Sequence, residues 1–214
     1  MLKELINLTA QQKPITMKKM LIGAIVGGLI IFLWQFVSFA ATELHYSATR
    51  HTPKQEAILQ FMTSQQLEDG GYFIPRTTKE ASTEEMEKSM NDMKGKPWMR
   101  IEYHNSYNQD MMMNMFRGLV VNVIMIYLFI GLLKRMGVLT TGKVVTASLI
   151  TGLIIFLNTA YTNHIWYQTF DTWAHLADAL ISWGLAGAWL GWWLNNKKGN
   201  PSNVHEKEKE LEMA

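Results

Sequence analysis

Four stretches of the chain contain no charged side chain: Met20–Thr42, Gly118–Leu133, Val144–Asn163 and Ala179–Asn196. At about 1.5 Å rise per residue, helices of about 16 to 23 residues match a hydrocarbon core about 30 Å thick. In lipid every backbone N–H and C=O must pair within its own segment, so these runs are predicted as transmembrane helices over residues 20–42, 116–136, 144–165 and 178–195. The stretch between the first two, residues 43–115, holds 19 of the 38 charged side chains and belongs in water. The predicted fold class is an α-helical transmembrane protein, a four-helix membrane bundle with a small α+β domain inserted between helices 1 and 2. Polar segments at 1–19 and 196–214 flank it.

The insert has local signals of its own. Thr52-Pro53-Lys54-Gln55 has the form of a capping box with proline at the first helical position, which predicts a helix from Pro53 to Leu67. Ile58, Leu59, Phe61 and Met62 give that helix an apolar face, and Asp69-Gly70-Gly71 ends it. Tyr72-Phe73-Ile74, closed by Pro75, reads as a short strand. Ser82-Thr83-Glu84-Glu85 opens a second helix to about Met93, with acidic residues where the helix dipole favours them. Alternation from Trp98 to His104 predicts a second strand. So small a module holds little core and is expected to lean on another surface.

Whole-chain averages hide this division. A mean hydropathy near zero with 18% charged residues would suit a soluble domain. The net charge of +2 is too small to point to nucleic acid, and the absence of cysteine excludes disulfides and thiolate metal sites. The placement of the positive charges is more telling. Lys3, Lys13, Lys18 and Lys19 precede helix 1, Lys134, Arg135 and Lys143 join helices 2 and 3, and Lys197 and Lys198 follow helix 4. Threading four helices puts all three groups on one side, the cytoplasmic one by the positive-inside rule. Both termini are then cytoplasmic and the insert is outside, which in a bacterium is the periplasm. Arg117 alone dissents. Met17-Lys18-Lys19-Met20 resembles a translation start, so residues 1–16 read as an upstream extension or an interfacial helix. Ser38-Phe39-Ala40 has the small-x-small form of a signal-peptidase site, but the apolar run exceeds a signal h-region and predicts an uncleaved anchor.

Helix-packing signals lie in Gly23-xxx-Gly27 and Gly187-xxx-Gly191, each placing two small residues on one helix face for an intramolecular seam or a dimer face. Trp166, Tyr167, Phe170 and Trp173, with Trp192 and Trp193, read as aromatic belts, and alternatively as a stacking platform for a quinone. Nine of the fifteen methionines lie between Met62 and Met115, and five of the six histidines fall on the outer side. Thioether and imidazole suit Cu(I), which makes Met90, Met93, His104 and Met113 candidate copper ligands, against the plainer reading of Met as apolar filler. His45 and His164 could flank a haem at the outer interface. His164, Asp171, His175 and Asp178 form an outer polar set, either a metal or acid–base site or a hydrogen-bonded helix entrance. Asn122 and Asn158 read as interhelical glue. Neither copper nor haem is favoured, and no nucleophile elbow, HExxH, P-loop or dinucleotide fingerprint is present.

Gly23-Ala24-Ile25-Val26-Gly27-Gly28 with Trp34 and Phe36, then Gly71-Tyr72-Phe73-Ile74-Pro75, then the aromatic link Trp166–Trp173 follow one another in an order that resembles a set of uncharacterised bacterial inner-membrane proteins. The likeness spans about residues 17–195. It implies one helix, a periplasmic insert and three further helices, and carries no activity. The expected function is that of a non-enzymatic accessory or scaffold subunit of an inner-membrane complex, with the lipid bilayer and other membrane proteins, or further copies of itself, as partners. The alternative is a membrane-anchored binding or sensing protein holding copper, haem or quinone near the periplasmic interface.

Overall fold

The computed structural model describes residues 15–137 and 139–195. The expected segment 1–19 is therefore seen only from Ile15, and the tail 196–214 lies outside the described residues. In chain order the elements are helix α1 (Met17–Phe36, prolonged by a π-helical turn, Val37–Ala41), a 3-10 turn (Tyr46–Ala48), α2 (Gln55–Ser64), strand β1 (Gly70–Ile74), α3 (Thr83–Met93), β2 (Met99–Tyr103), α4 (Met111–Leu133), α5 (Thr141–Phe156, prolonged by a π-helical turn, Leu157–Tyr161), a short α6 (Thr162–Tyr167) and α7 (Thr172–Asn195). They form two compact units, residues 50–110 and the two stretches that flank them.

Three helical stretches are long and apolar enough to cross a membrane: Met17–Ala41, Met111–Leu133 and Thr141–Tyr167. The fourth expected span is a helix of 24 residues, α7, but it is not among them. It starts at Thr172 rather than near 178, and its first turns bring His175 and Asp178 into the helix. Those polar groups and five tryptophans lower its hydropathy.

In this unit α1 packs against both α4 and α7, and α5 packs against α7. Small residues set how closely. A Cβ added at Gly28 would lie 2.7 Å from the backbone N and Cα of Val123, and one at Gly187 would lie 2.6 Å from Ser148 Cβ. The same construction at Gly23, Gly27 and Gly191 meets Ile130, Ile126 and Thr141 at 3.1, 2.9 and 2.8 Å. All four glycines of the two motifs thus sit at contacts inside one chain. Around them Ala24, Ile126, Ile130, Leu133, Val144, Ala186 and Leu190 are fully buried. Asn122, also buried, donates from Nδ2 to Gln35 Oε1 at 2.8 Å, joining α4 to α1.

The two ends of this unit differ chemically. At one end Lys19 Nζ donates to Leu194 O at 2.8 Å, Trp193 Nε1 donates to Lys19 O at 2.9 Å, and Thr141 Oγ1 donates to Gly191 O at 3.2 Å. The starts of α1 and α5 therefore meet the end of α7, with Lys18, Lys19 and Lys143 among them. The opposite end carries histidine and aspartate.

In the module, β1 and β2 pair antiparallel from Gly70 opposite Tyr103 to Ile74 opposite Met99. Ser82 caps α3 in a full capping box: its hydroxyl accepts from Glu85 N, and Glu85 Oε2 accepts from Ser82 N. The box expected at Thr52–Gln55 does not form. The Thr52 hydroxyl accepts from Lys54 N instead, α2 starts at Gln55, and the helix ends at Ser64, short of Leu67. No residue of the module is buried, and Ile58, Leu59 and Phe61 on α2 are 51, 61 and 62% exposed.

Candidate functional site

The end of α1 and the start of α7 meet in a cluster built around one histidine. The π-helical turn Val37–Ala41 inserts an extra residue into the helical repeat, a local distortion often found at functional sites. It buries Ser38 and leaves Phe39 more than half exposed, and four residues beyond the turn the chain comes back so that the His45 ring lies flat on Phe39, centroids 3.8 Å apart and planes 3° apart. His45 is 5% exposed.

Both of its ring nitrogens meet a carboxylate. Nδ1 lies 2.7 Å from Asp171 Oδ2, and Nε2 lies 2.9 Å from Asp178 Oδ2. Two hydrogen bonds at these positions require a proton on each ring nitrogen or on a facing carboxyl, since lone pairs cannot face each other at that separation. Asp178 is also held by Trp34, whose Nε1 donates to Oδ1 at 3.0 Å. Asp171 immediately precedes α7, where the helix dipole favours an anion. Its Oδ2 also lies 3.2 Å from His175 Nε2, one helical turn later. The rings of His45 and His175 are 4.6 Å apart. Two carboxylates, at most 14% exposed, are thus answered by two imidazoles and one indole N–H.

One ring nitrogen of each histidine and one oxygen of Asp178 lie within 4.8 Å of one another, a spacing that a single metal ion can bridge. A surface cleft of about 310 Å³, lined by Leu44, Ser47, Phe170, Trp173 and Ala174, opens onto Asp171. Ser47 Oγ donates to Phe170 O at 3.0 Å and ties the loop after α1 to the entrance of α7.

Of the outer polar set read from sequence, Asp171, His175 and Asp178 come together, and His164 does not join them. Its Nδ1 pairs with Thr169 O at 2.9 Å, closing the link between α6 and α7, where Gln168 takes a left-handed conformation (φ 47°). The residue the set lacked is His45, which is 126 positions from Asp171 and shares no local pattern with it. Trp34, noted in the sequence only among the residues that carry the resemblance, is the side chain that donates to Asp178 Oδ1.

The copper candidates divide between the two units. Met90, Met93 and His104 belong to the module and Met113 to the helical unit. Met90 is 64% exposed, and His104 lies 3.8 Å from Asp69. A haem iron on His45 would have to displace one of its two carboxylate partners. Trp166, Phe170 and Trp173 are at least 74% exposed, facing outward as interfacial aromatics do. No protein-family model matches the chain, and comparisons with curated proteins and with solved structures find no match.

Proposed function

We propose that the chain is a non-enzymatic multi-pass protein of a bacterial inner membrane, of the kind it resembles in sequence, and serves as an accessory or scaffold subunit. In this reading α7 spans the membrane as a fourth helix beside the three more apolar ones. Its polar first turns rest at the outer interface, and Trp192 and Trp193 mark the inner one. Both termini are cytoplasmic, and residues 43–115 form a periplasmic insert. The lysines gathered where the starts of α1 and α5 meet the end of α7 support that orientation.

The observation that carries the scaffold reading is the module without a buried residue. A unit of residues 50–110 in which no side chain is more than partly buried gains little from the hydrophobic effect. Meanwhile α2 exposes Ile58, Leu59 and Phe61 together. Covering such a face with a partner's surface supplies the missing burial, at about 25 cal/mol per Å² of apolar area. A photo-crosslinking amino acid at Phe61, compared with one at Glu56 on the far side of the same helix, tests this in cells. The expected product is an adduct between position 61 and another membrane protein. Adducts only within the chain, or only to lipid, would remove the scaffold reading.

A further inference from the structure

We propose that His45, His175 and Asp178 form a binding site for one divalent metal ion of the zinc class, with Asp171 and Trp34 as positioning residues. This goes beyond the scaffold reading and stands or falls apart from it.

The donor set is two imidazole nitrogens and a carboxylate oxygen, all within 4.8 Å of one another. Nitrogen and oxygen donors of this kind suit Zn²⁺, whereas Cu(I) prefers sulfur donors, which these three residues do not offer. Three protein ligands leave a fourth position open, and the cleft of about 310 Å³ reaches Asp171, the carboxylate that meets both histidines.

The surroundings are those a metal site needs. Histidine ligands commonly donate their second ring N–H to a carboxylate, which fixes ring orientation and makes the other nitrogen a better ligand. Asp171 Oδ2 meets a ring nitrogen of both histidines, at 2.7 Å on His45 and 3.2 Å on His175. It can therefore hold His45 Nδ1 from behind while Nε2, which already faces Asp178, turns to the ion, and it meets His175 as well. Trp34 Nε1 occupies Asp178 Oδ1 and leaves Oδ2, the atom already 2.9 Å from His45 Nε2, as the ligand. A tetrahedral ion bound at about 2.0 Å needs neighbouring ligands about 3.3 Å apart, so that pair has to open by a few tenths of an ångström.

Charge balance favours the ion. The groups that face the two carboxylates are His45, His175 and the neutral Trp34. Neutralising both carboxylates by protons alone takes either two imidazolium rings with centroids 4.6 Å apart or a carboxyl kept protonated, in a cluster mostly withdrawn from water. One divalent cation achieves the same neutrality with both rings uncharged, and like charges are not brought together.

The test uses the full chain purified in mild detergent, stripped with a chelator and titrated with Zn²⁺ against a chromophoric zinc indicator. The expected result is one zinc per chain. Affinity should fall at least tenfold in Asp178→Asn, which keeps the oxygen that accepts from Trp34, and in His175→Ala, whose partly exposed side chain can be removed without opening the core. Zinc-edge X-ray absorption should show imidazole and carboxylate donors at about 2.0 Å. His104→Ala, which breaks an exposed His–Asp pair on the module, should bind as the parent does. No stoichiometric zinc, or zinc bound equally by folded Asp178→Asn and His175→Ala, would overturn the proposal.

Discussion

Replacing Gly28 by alanine adds one methyl group at the closest approach of α1 and α4. The new Cβ would stand 2.7 Å from Val123 N and Cα, whereas ordinary contact begins at 3.4 Å. The obstruction is backbone, so no rotamer change relieves it, and the two helices must part by about 0.7 Å. A radial gap of that size forfeits a quarter to a half of each dispersion contact along the seam, including those of Ile126 and Ile130 with Gly27 and Gly23. Overpacking of this kind costs about 1–3 kcal/mol, and the helix propensity of alanine over glycine returns up to about 1 kcal/mol. The net expectation for Gly28→Ala is a loss of about 1–2 kcal/mol. Gly184→Ala is the control, because its Cβ meets only Leu149 Cδ2 at 3.4 Å and should be neutral or slightly stabilising. Gly27→Ala should fall between them, since it meets the Cγ2 methyl of Ile126 at 2.9 Å, a side-chain atom rather than backbone. The assay is denaturation in mixed detergent micelles followed by tryptophan fluorescence, with unchanged oligomeric size as a second reading. Gly28→Ala as stable as the parent, with Gly184→Ala the weaker of the two, would refute the reasoning.

The remaining expectations concern other links in the structure. Asn122→Leu should cost about 0.6 kcal/mol, and at most about 1.7, through loss of the Gln35 hydrogen bond; a double-mutant cycle with Gln35→Leu checks it, and additive effects would show that the pair is not coupled. A reporter active only in the periplasm should be silent when fused after Ala214, and strong activity there would invert the proposed topology. The hydrogen bond from Asn105 N–H, with the Asn105 side chain and His104 adding to it, holds Asp69 below its ordinary pKa of 3.8. The folded value lies below the unfolded one, so the stabilisation is complete above the ordinary value and disappears as pH falls through the folded one. The Asn105 amide resonance should accordingly titrate below pH 3.8 and lose that transition in Asp69→Asn; a midpoint at or above the ordinary value would contradict the assignment. Ser82→Ala should weaken α3 by about 1 kcal/mol, seen as faster amide exchange in its first turn, and unchanged exchange would mean that the capping box carries no stability.

What the sequence determined is what nearest neighbours along the chain determine. Uninterrupted apolar runs made α1, α4 and α5 legible as helices that suit lipid, because the backbone has no alternative there. Ser82 through Glu85 specified the start of α3, and the alternation after Trp98 specified β2, since caps and strand periodicity are short-range rules. Two local signals misled. Thr52–Gln55 has the spacing of a capping box, but the chain turns at Lys54 and spends the Thr52 hydroxyl there. The last apolar run began too late, because its polar first turn, from Thr172 through Asp178, reads as loop until its partners are known.

Those partners are what only the tertiary structure decided. His45 stands 126 and 133 residues from the carboxylates it meets, and Trp34 stands 144 from Asp178. No periodicity spans such separations. They follow from α1 packing against α7, where Gly23 meets Leu190 and Trp193, and from a π-helical turn that redirects the chain beyond it. Asp171, His175 and Asp178 share a helical spacing and could be grouped in advance, whereas His164 looked equally eligible until the turn at Gln168 directed its ring to Thr169 O. Helical periodicity selects which residues share a face, and the packing of distant helices selects which faces meet.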